Sequence, residues 1–282
     1  MAEHLKIFVT GASSGIGRAV AIELAGRGHT VFAAARRQAE LDDLAASHGG
    51  VVAVPLDVTD QESVDKAWAS ISAATQGAGV DVLINAAGYA LTGPVETLST
   101  EEVKRQFDTN VFGLLAVTRA VLPAMRARHA GRIINVSSVV GRTSFPAMGV
   151  YGATKYAVEA LSDSLRMELA PTGIKVVLVE PGFVATDIID ASTRERADVA
   201  VGPVGDGDGY AQLIEAADRF LAKQLMQGMP APALARRIAK VAESRRPRSR
   251  YVAPLSAKGL VALFSRLPDG LADAAKRRAI AG

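Results

Sequence analysis

The sequence predicts a doubly wound α/β fold built on one parallel sheet, and three observations carry that expectation. Short apolar runs of strand length alternate with helix-period segments from residue 5 to residue 179, the pattern of repeated strand–helix–strand units. The first run empties into a glycine-rich turn, Gly11-Ala-Ser-Ser-Gly15-Ile-Gly17, that opens a helix; such a turn brings main-chain N–H groups to a pyrophosphate. With 282 residues, 49% of them hydrophobic and 22% charged, the chain can bury one large core.

The elements follow in order. A buried strand over 5–10 runs into the glycine turn, and 18–25 has helical periodicity. Gly11, Ser13, Ser14, Gly15, Ile16 and Gly17 are the candidate pyrophosphate contacts; the competing reading is a structural turn with no ligand. A second strand is expected over 30–35. In a dinucleotide fold an acid about 20 residues past the glycines holds the adenosine ribose. Here Ala35 closes the strand and Arg36 and Arg37 follow, which suits a 2′-phosphate and hence NADP(H); the alternative is a solvated pair opening the next helix. A third strand over 51–56 leads to Asp57-Val58 and a helix over 61–75, on which Trp68 is assigned to packing. A fourth, over 80–84, leads to Asn85-Ala86-Ala87-Gly88, small residues that let a flat cofactor come close. One long helix is expected over 100–128. It carries Asn110, which needs a partner inside a helix, and Pro123, expected to kink or end a segment.

The chemistry concentrates in the next stretch. A strand over 132–138 delivers Ser138 into a loop, and a helix running to about residue 170 carries Tyr151 and Lys155 four apart, on one face. An ammonium beside a phenol favours the phenolate, so Lys155 is expected to lower the Tyr151 pKa. Together with a hydroxyl, the pair suits proton transfer at a carbinol or carbonyl centre. A strand over 174–179 follows, and Pro181-Gly182 breaks the chain before 183–186. Periodicity loosens over 187–229, read as a substrate lid with an amphipathic segment over 212–227. A helix over 232–243 precedes Arg245, Arg246, Arg248 and Arg250, read as a solvated basic cluster, with contact to an anionic partner or lipid as the alternative, and a short strand at 251–252. The C-terminal extension, 254–282, carries an apolar patch (Leu260, Val261, Leu263, Phe264, Leu267) that suits the core, a subunit or a membrane surface.

Composition narrows the function. A formal charge of +3, evenly spread, argues against nucleic acid. The chain has no cysteine, which excludes disulfides and thiolate chemistry, and its four histidines lack metal-ligand spacing. No apolar run reaches about 18 residues, and the first residues lack a secretory pattern, so a single-domain cytoplasmic protein is expected.

Thr10-Gly-Ala-Ser-Ser-Gly-Ile-Gly17, Asn85-Ala-Ala-Gly88, Asn110, Ser138, Tyr151-x-x-x-Lys155 and Pro181-Gly182 together resemble the short-chain dehydrogenase/reductases over 5–186, about two thirds of the chain. The gap of 13 from Ser138 to Tyr151 (151 minus 138) fits that family and selects Ser138 over Ser137. The resemblance implies a Rossmann-type fold and hydride transfer between NADP(H) and a carbonyl or secondary alcohol. By that resemblance Tyr151 is the acid/base, Lys155 lowers its pKa and holds the nicotinamide ribose, Asn110 positions a water in a proton relay, and Ser138 orients the substrate oxygen. Asp57 and Val58 would bind adenine, Val184 and Thr186 the carboxamide, with Asn85, Ala86, Gly88, Pro181 and Gly182 also against the cofactor. The Tyr151–Ser162 region and the long lid are similar to the branch containing hydroxysteroid and retinol dehydrogenases, implying a bulky apolar ketone or alcohol. Two alternatives stand. A 3-oxoacyl-carrier-protein reductase would need a basic docking surface, to which Arg126, Arg128 and Arg132 are candidates. A non-catalytic NADP(H)-sensing protein should lack part of the tetrad, which is intact here. Relatives imply a homodimer or homotetramer formed through the helices carrying Asn110 and Tyr151.

Overall fold

The computed structural model describes residues 4–186 and 210–281. Seven parallel strands form one sheet: β1 (Lys6–Thr10), β2 (Thr30–Ala35), β3 (Val51–Pro55), β4 (Val82–Asn85), β5 (Gly131–Val136), β6 (Ile174–Pro181) and the late strand β9 (Arg250–Ala253). Their order is β3-β2-β1-β4-β5-β6-β9. The chain therefore winds outward from β1 in one direction and returns to β4 to wind in the other. This places a switch point between the carboxyl ends of β1 and β4, where ligands bind in such sheets. A small pair, β7 (Val184–Ala185) and β8 (Met229–Pro230), lies beside it.

Alternation along each strand makes the two cores. Ile7 and Val9 face one, where they meet Val20, Leu24, Leu41 and Ile238. Phe8 faces the other, with Phe32, Leu83, Ile71 and Val121. The first core is covered by α1 (Gly15–Gly26), α2 (Gln38–Ser47) and α8 (Ala231–Glu243). The second is covered by α3 (Gln61–Ala74) and α5 (Leu114–Ala127), and Trp68 packs there as the sequence suggested. Each fully buried aliphatic or aromatic side chain contributes about 1.5–3 kcal/mol, so the sheet and its two covers form a stiff frame for the loops at the switch point.

Two expectations need correction. The helix over 100–128 is not one α-helix: α4 (Thr100–Phe107), capped by Ser99 and Glu102, passes into a π turn at Asp108–Gly113 before α5 begins. Of the two effects expected of Pro123, ending the segment does not occur: α5 continues to Ala127. Pro123 and Arg119, whose carbonyl loses its donor, both lie on the exposed side, where water takes up the freed carbonyl.

The helix α6 (Gly149–Glu168) packs against β6 and carries Tyr151 and Lys155. Beyond it stand α7 (Ala211–Met226), α9 (Leu255–Phe264) and α10 (Asp269–Ala281). The expected lid falls partly on 187–209, outside the described residues; its remainder is α7 and β8. Val261 and Phe264 of the tail's apolar patch turn inward and pack with the groups around Tyr151 and Phe145, whereas Leu263 is exposed. Among the described residues no helix is long and apolar enough to cross a membrane.

Candidate active site

The glycine turn lies hard against the exit of β4. Gly11 has φ +70°, and a Cβ there would sit 2.7 Å from the Cα of Ala87. A Cβ on Gly17 would stand 2.3 Å from the carbonyl oxygen of Gly11. Neither position tolerates a side chain, because backbone, not a flexible group, fills the space. Thr10, buried at the end of β1, fixes the same corner: its hydroxyl oxygen accepts from the N–H groups of Ala86 and Ala87, both at 3.1 Å. That threonine was not predicted as a site residue; its place just before the first glycine was the available signal.

Above this corner opens a cleft of about 430 Å³, lined by Gly11, Ser13, Ser14, Gly15, Ile16 and Gly17 on one side. Arg36, Arg37, Asp57, Val58, Ala86 and Gly88 complete it. The α1 N-terminus points its first amides here, with no acid in its first turn and no side-chain cap from Ser14, an arrangement that favours an anion. At the far end Ala35 is buried, so no carboxylate closes β2. Arg37 donates from Nε and Nη2 to the Ser13 hydroxyl oxygen at 3.2 and 2.9 Å, while Arg36 is exposed on the rim.

The cleft joins a smaller, mostly apolar pocket of about 100 Å³ through shared walls at Ile16, Ala86, Gly88, Tyr89 and Thr186. Ser138, Tyr151 and Lys155 line this pocket together with Pro181, Gly182 and Val184. The structure thus brings together the hydroxyl, phenol and ammonium that the sequence separates by up to 17 positions (155 minus 138). Lys155 donates from Nζ to the Val136 carbonyl at 3.0 Å and stands 5.7 Å from the centre of the Tyr151 ring. Ser138 donates to the Pro181 carbonyl at 3.3 Å. Leu221 and Leu225 of α7 close the outer side, and Phe220 meets Phe183 edge-on at 5.8 Å.

The electrostatics correct one expectation. The Tyr151 phenol is not lowered: burial pushes it up to about 12, with the Ser138 hydroxyl pulling the other way. Burial likewise presses Lys155 down to about 8, opposed by the charge of Glu159. Desolvation outweighs the Ser138 hydrogen bond at the phenol and the Glu159 charge at the ammonium, because both side chains are over nine-tenths buried. A phenol held neutral beside a hydroxyl and a cation can give a proton to an oxygen seated in the pocket.

Asn110 has the partners it needs, and they explain the π turn. Its carbonyl oxygen accepts from the Tyr89 N–H at 3.1 Å, and its amide donates to the Tyr89 carbonyl at 3.0 Å and the Thr154 hydroxyl at 3.1 Å. Thr154 in turn donates to the Tyr151 carbonyl at 2.8 Å. The widened turn thereby ties the β4 loop to the tyrosine helix, and Thr154, the residue just before Lys155, is a second residue the sequence reading missed. Asn85 departs from its assignment. Its side chain is buried under the sheet's end, donating to Thr118 and Asn135 at 3.1 and 2.9 Å, and it lines neither cavity. The carboxamide, buried at the last position of a central strand, is held by one partner on α5 and one on β5. Arg128 and Arg132 give their guanidiniums to the carbonyls of Val80, Val241, Ala242 and Ser244. They belong to the opposite, amino end of the strands, so they form no docking surface beside the pocket.

The family model described as short chain dehydrogenase matches residues 6–197. The chain is 36% identical over 272 residues to a 3-ketodihydrosphingosine reductase of Bacteroides thetaiotaomicron, covering 96% of each. It is 31% identical over 270 residues to an NADPH-dependent 3-dehydrocapnine reductase of Ornithobacterium rhinotracheale, covering 94% of this chain and 93% of that one. Among solved structures, a short-chain dehydrogenase from Streptomyces avermitilis is similar with TM-score 0.80 and 34% identity, over 93% of this chain and 92% of that one. A short-chain dehydrogenase/reductase from Burkholderia phymatum, in complex with NAD, is similar with TM-score 0.82 and 28% identity over 93% of both chains.

Proposed function

The chain belongs to the short-chain dehydrogenases, and from that membership we propose that it is an NADP(H)-dependent reductase of a bulky apolar ketone, reversible toward the secondary alcohol. The observation that carries this reading is the junction itself: a phosphate-suited cleft runs into an apolar pocket where Ser138, Tyr151 and Lys155 converge. The fit to the cofactor rests on three features of the chain. Gly11 and Gly17 leave a cradle that a Cβ would fill, the α1 amides face it uncapped, and the end of β2 offers Ala35, Arg36 and Arg37 in place of an acid. Gly11 to Gly17 would hold the pyrophosphate, Arg36 and Arg37 the 2′-phosphate, Asp57 and Val58 the adenine. Ala86, Gly88, Pro181, Gly182, Val184 and Thr186 would flank the nicotinamide, with Lys155 on its ribose. When bound, the cofactor supplies the hydride.

The residues supply position and the proton. Ser138 orients the substrate oxygen, and Tyr151, neutral at cellular pH, donates its proton to that oxygen as the carbonyl is reduced. Lys155 carries the compensating positive charge below about pH 8. Asn110 fixes the Tyr89 main chain and the Tyr151 helix relative to each other; a relay water there remains part of the proposal. The names of two relatives, reductases of 3-ketodihydrosphingosine and of 3-dehydrocapnine, support a ketone substrate, and the second supports NADPH. Leu221 and Leu225 on the pocket wall support 210–229, the described part of the expected lid, as its cover, as does the Tyr210 hydroxyl donating to Glu96 at 2.6 Å.

A panel of ketones scored by loss of NADPH absorbance tests the reading. Turnover is expected with bulky apolar ketones; activity confined to acyl thioesters on a carrier protein, or none with any carbonyl, would overturn it. The helices α5 and α6, with the π turn, are further proposed to pair across a two-fold axis, since Phe112, Tyr156 and Met167 are 58%, 43% and 62% exposed there. Light scattering at micromolar concentration should return the mass of a dimer or tetramer, and a monomer mass would refute the pairing.

A further inference from the structure

One face of α6 continues past the pocket. Tyr151, Lys155, Glu159 and Asp163 follow at intervals of four, stacking along the helix. Glu159 is buried, and Glu180, on β6, is wholly so. Two buried carboxylates this close are costly without a counter-charge, and one residue late in the chain reaches both of them. Arg250, the first residue of β9, gives Nη1 to Glu159 and, at 2.9 Å, to Glu180, and Nη2 to Asp163. The sequence reading placed this arginine in a solvated basic cluster; the structure half-buries it, paired with acids from two elements.

The connections run straight to the proton-transfer groups. Glu180 immediately precedes Pro181, whose carbonyl receives the Ser138 hydroxyl. Glu159 lies one turn beyond Lys155, whose ammonium is held by the carbonyl of Val136, next to Ser137. The Ser137 hydroxyl and Arg250 both act to keep Glu159 ionised against its burial. We propose that Arg250 is a positioning residue for catalysis: by gripping Glu159 and Glu180 together it holds the Tyr151–Lys155 helix in register with the Ser138–Pro181 corner, and keeps a carboxylate behind the lysine. The inference rests on reading Tyr151 and Lys155 as the proton-transfer pair.

Charge balance gives it a sign. The charged groups around Lys155 are Glu159 on its own helix, Glu180 on β6, Arg250 on β9 and Arg142 in the loop after β5, whose Nη1 is 3.6 Å from Glu180. Asp163 is shared between Arg250 and Arg166 near the surface. Glu159 stands between Lys155 and Arg250, while Glu180 is shared by Arg250 and Arg142. Neutralising Glu159 removes the anion between two cations, so the lysine should give up its proton at lower pH. Glu159→Gln is nearly isosteric and can still accept from Arg250. Arg250→Lys keeps the charge but loses the fork that reaches three carboxylates.

The experiment acylates the cofactor-free full chain with acetic anhydride across pH and reads Lys155 modification by mass spectrometry, alongside ketone reduction. In Glu159→Gln the Lys155 midpoint, and with it the high-pH limb of kcat/KM, should move down by about one pH unit. In Arg250→Lys the midpoint should stay while kcat falls about tenfold with little change in the KM for NADPH. A Glu159→Gln midpoint that coincides with wild type, or an Arg250→Lys enzyme of wild-type kcat, overturns the proposal. The acylation needs no turnover, so it separates this inference from the reading of the pair, which an active Tyr151→Phe enzyme would overturn instead.

Discussion

Replacing Tyr151 by phenylalanine is expected to lower kcat for ketone reduction by about 10²–10⁴-fold, the usual worth of a positioned general acid, while NADPH still binds. The ring, which carries the packing against Ala90, Val140 and Met148, is retained; only the transferable proton goes. The direction of the pKa shift makes the loss steep. With the phenol raised to about 12, Tyr151 stays protonated throughout the neutral range, so wild-type reduction has its acid in place at every cellular pH and the variant has none. Steady-state kinetics with NADPH fluorescence titration would check this. A variant keeping a tenth of the wild-type rate would remove Tyr151 from the role.

The second large effect concerns cofactor choice. Ala35 leaves the end of β2 without the carboxylate that would accept both ribose hydroxyls and repel a 2′-phosphate. Arg36 stands on the rim of the cleft there, and Arg37 is oriented by Ser13. A charge-assisted phosphate contact is worth roughly 1.5–3 kcal/mol, and ~1.4 kcal/mol is a factor of ten. The wild-type enzyme should therefore prefer NADPH over NADH by about ten- to a hundredfold in kcat/KM. Ala35→Asp combined with Arg36→Ala adds the repulsion, deletes one attraction and should reverse the order. Equal use of both cofactors by the wild type, or a double variant that still prefers NADPH, would refute the assignment.

Most of the frame was legible because it depends on local pattern. The second strand falls on residues 30–35 as expected, and the glycine turn lies where strand and helix periodicities meet. What escaped the sequence depends on partners distant in the chain. The π turn is set by Tyr89 and Thr154, 21 and 44 positions from Asn110; nothing in residues 100–128 announces it. Asn85 carries the right motif, yet its amide is taken by Thr118 and Asn135. The Tyr151 shift reversed sign because spacing along a helix shows which groups are neighbours, not how much water both have lost. Arg250 sits among other arginines in sequence and among carboxylates in space.

The late arrival of β9 bears on how the chain is made. Every residue assigned to the cofactor or to proton transfer has been synthesised by Thr186, and the stretch matching the family model ends at residue 197. A ribosome-bound or truncated chain of that length would hold all the recognisable motifs, yet Glu159 and Glu180 would lack Arg250, and β6 would lack its outer neighbour. Glu180 would keep Arg142 at 3.6 Å, but Glu159 would lose the cation it pairs with, and a buried acid without a counter-ion either takes up a proton or keeps the region open to water. Completion of the catalytic helix therefore waits until residue 250 and the rest of β9 have been made, and a minimal fragment drawn around the motifs would be an incomplete folding unit.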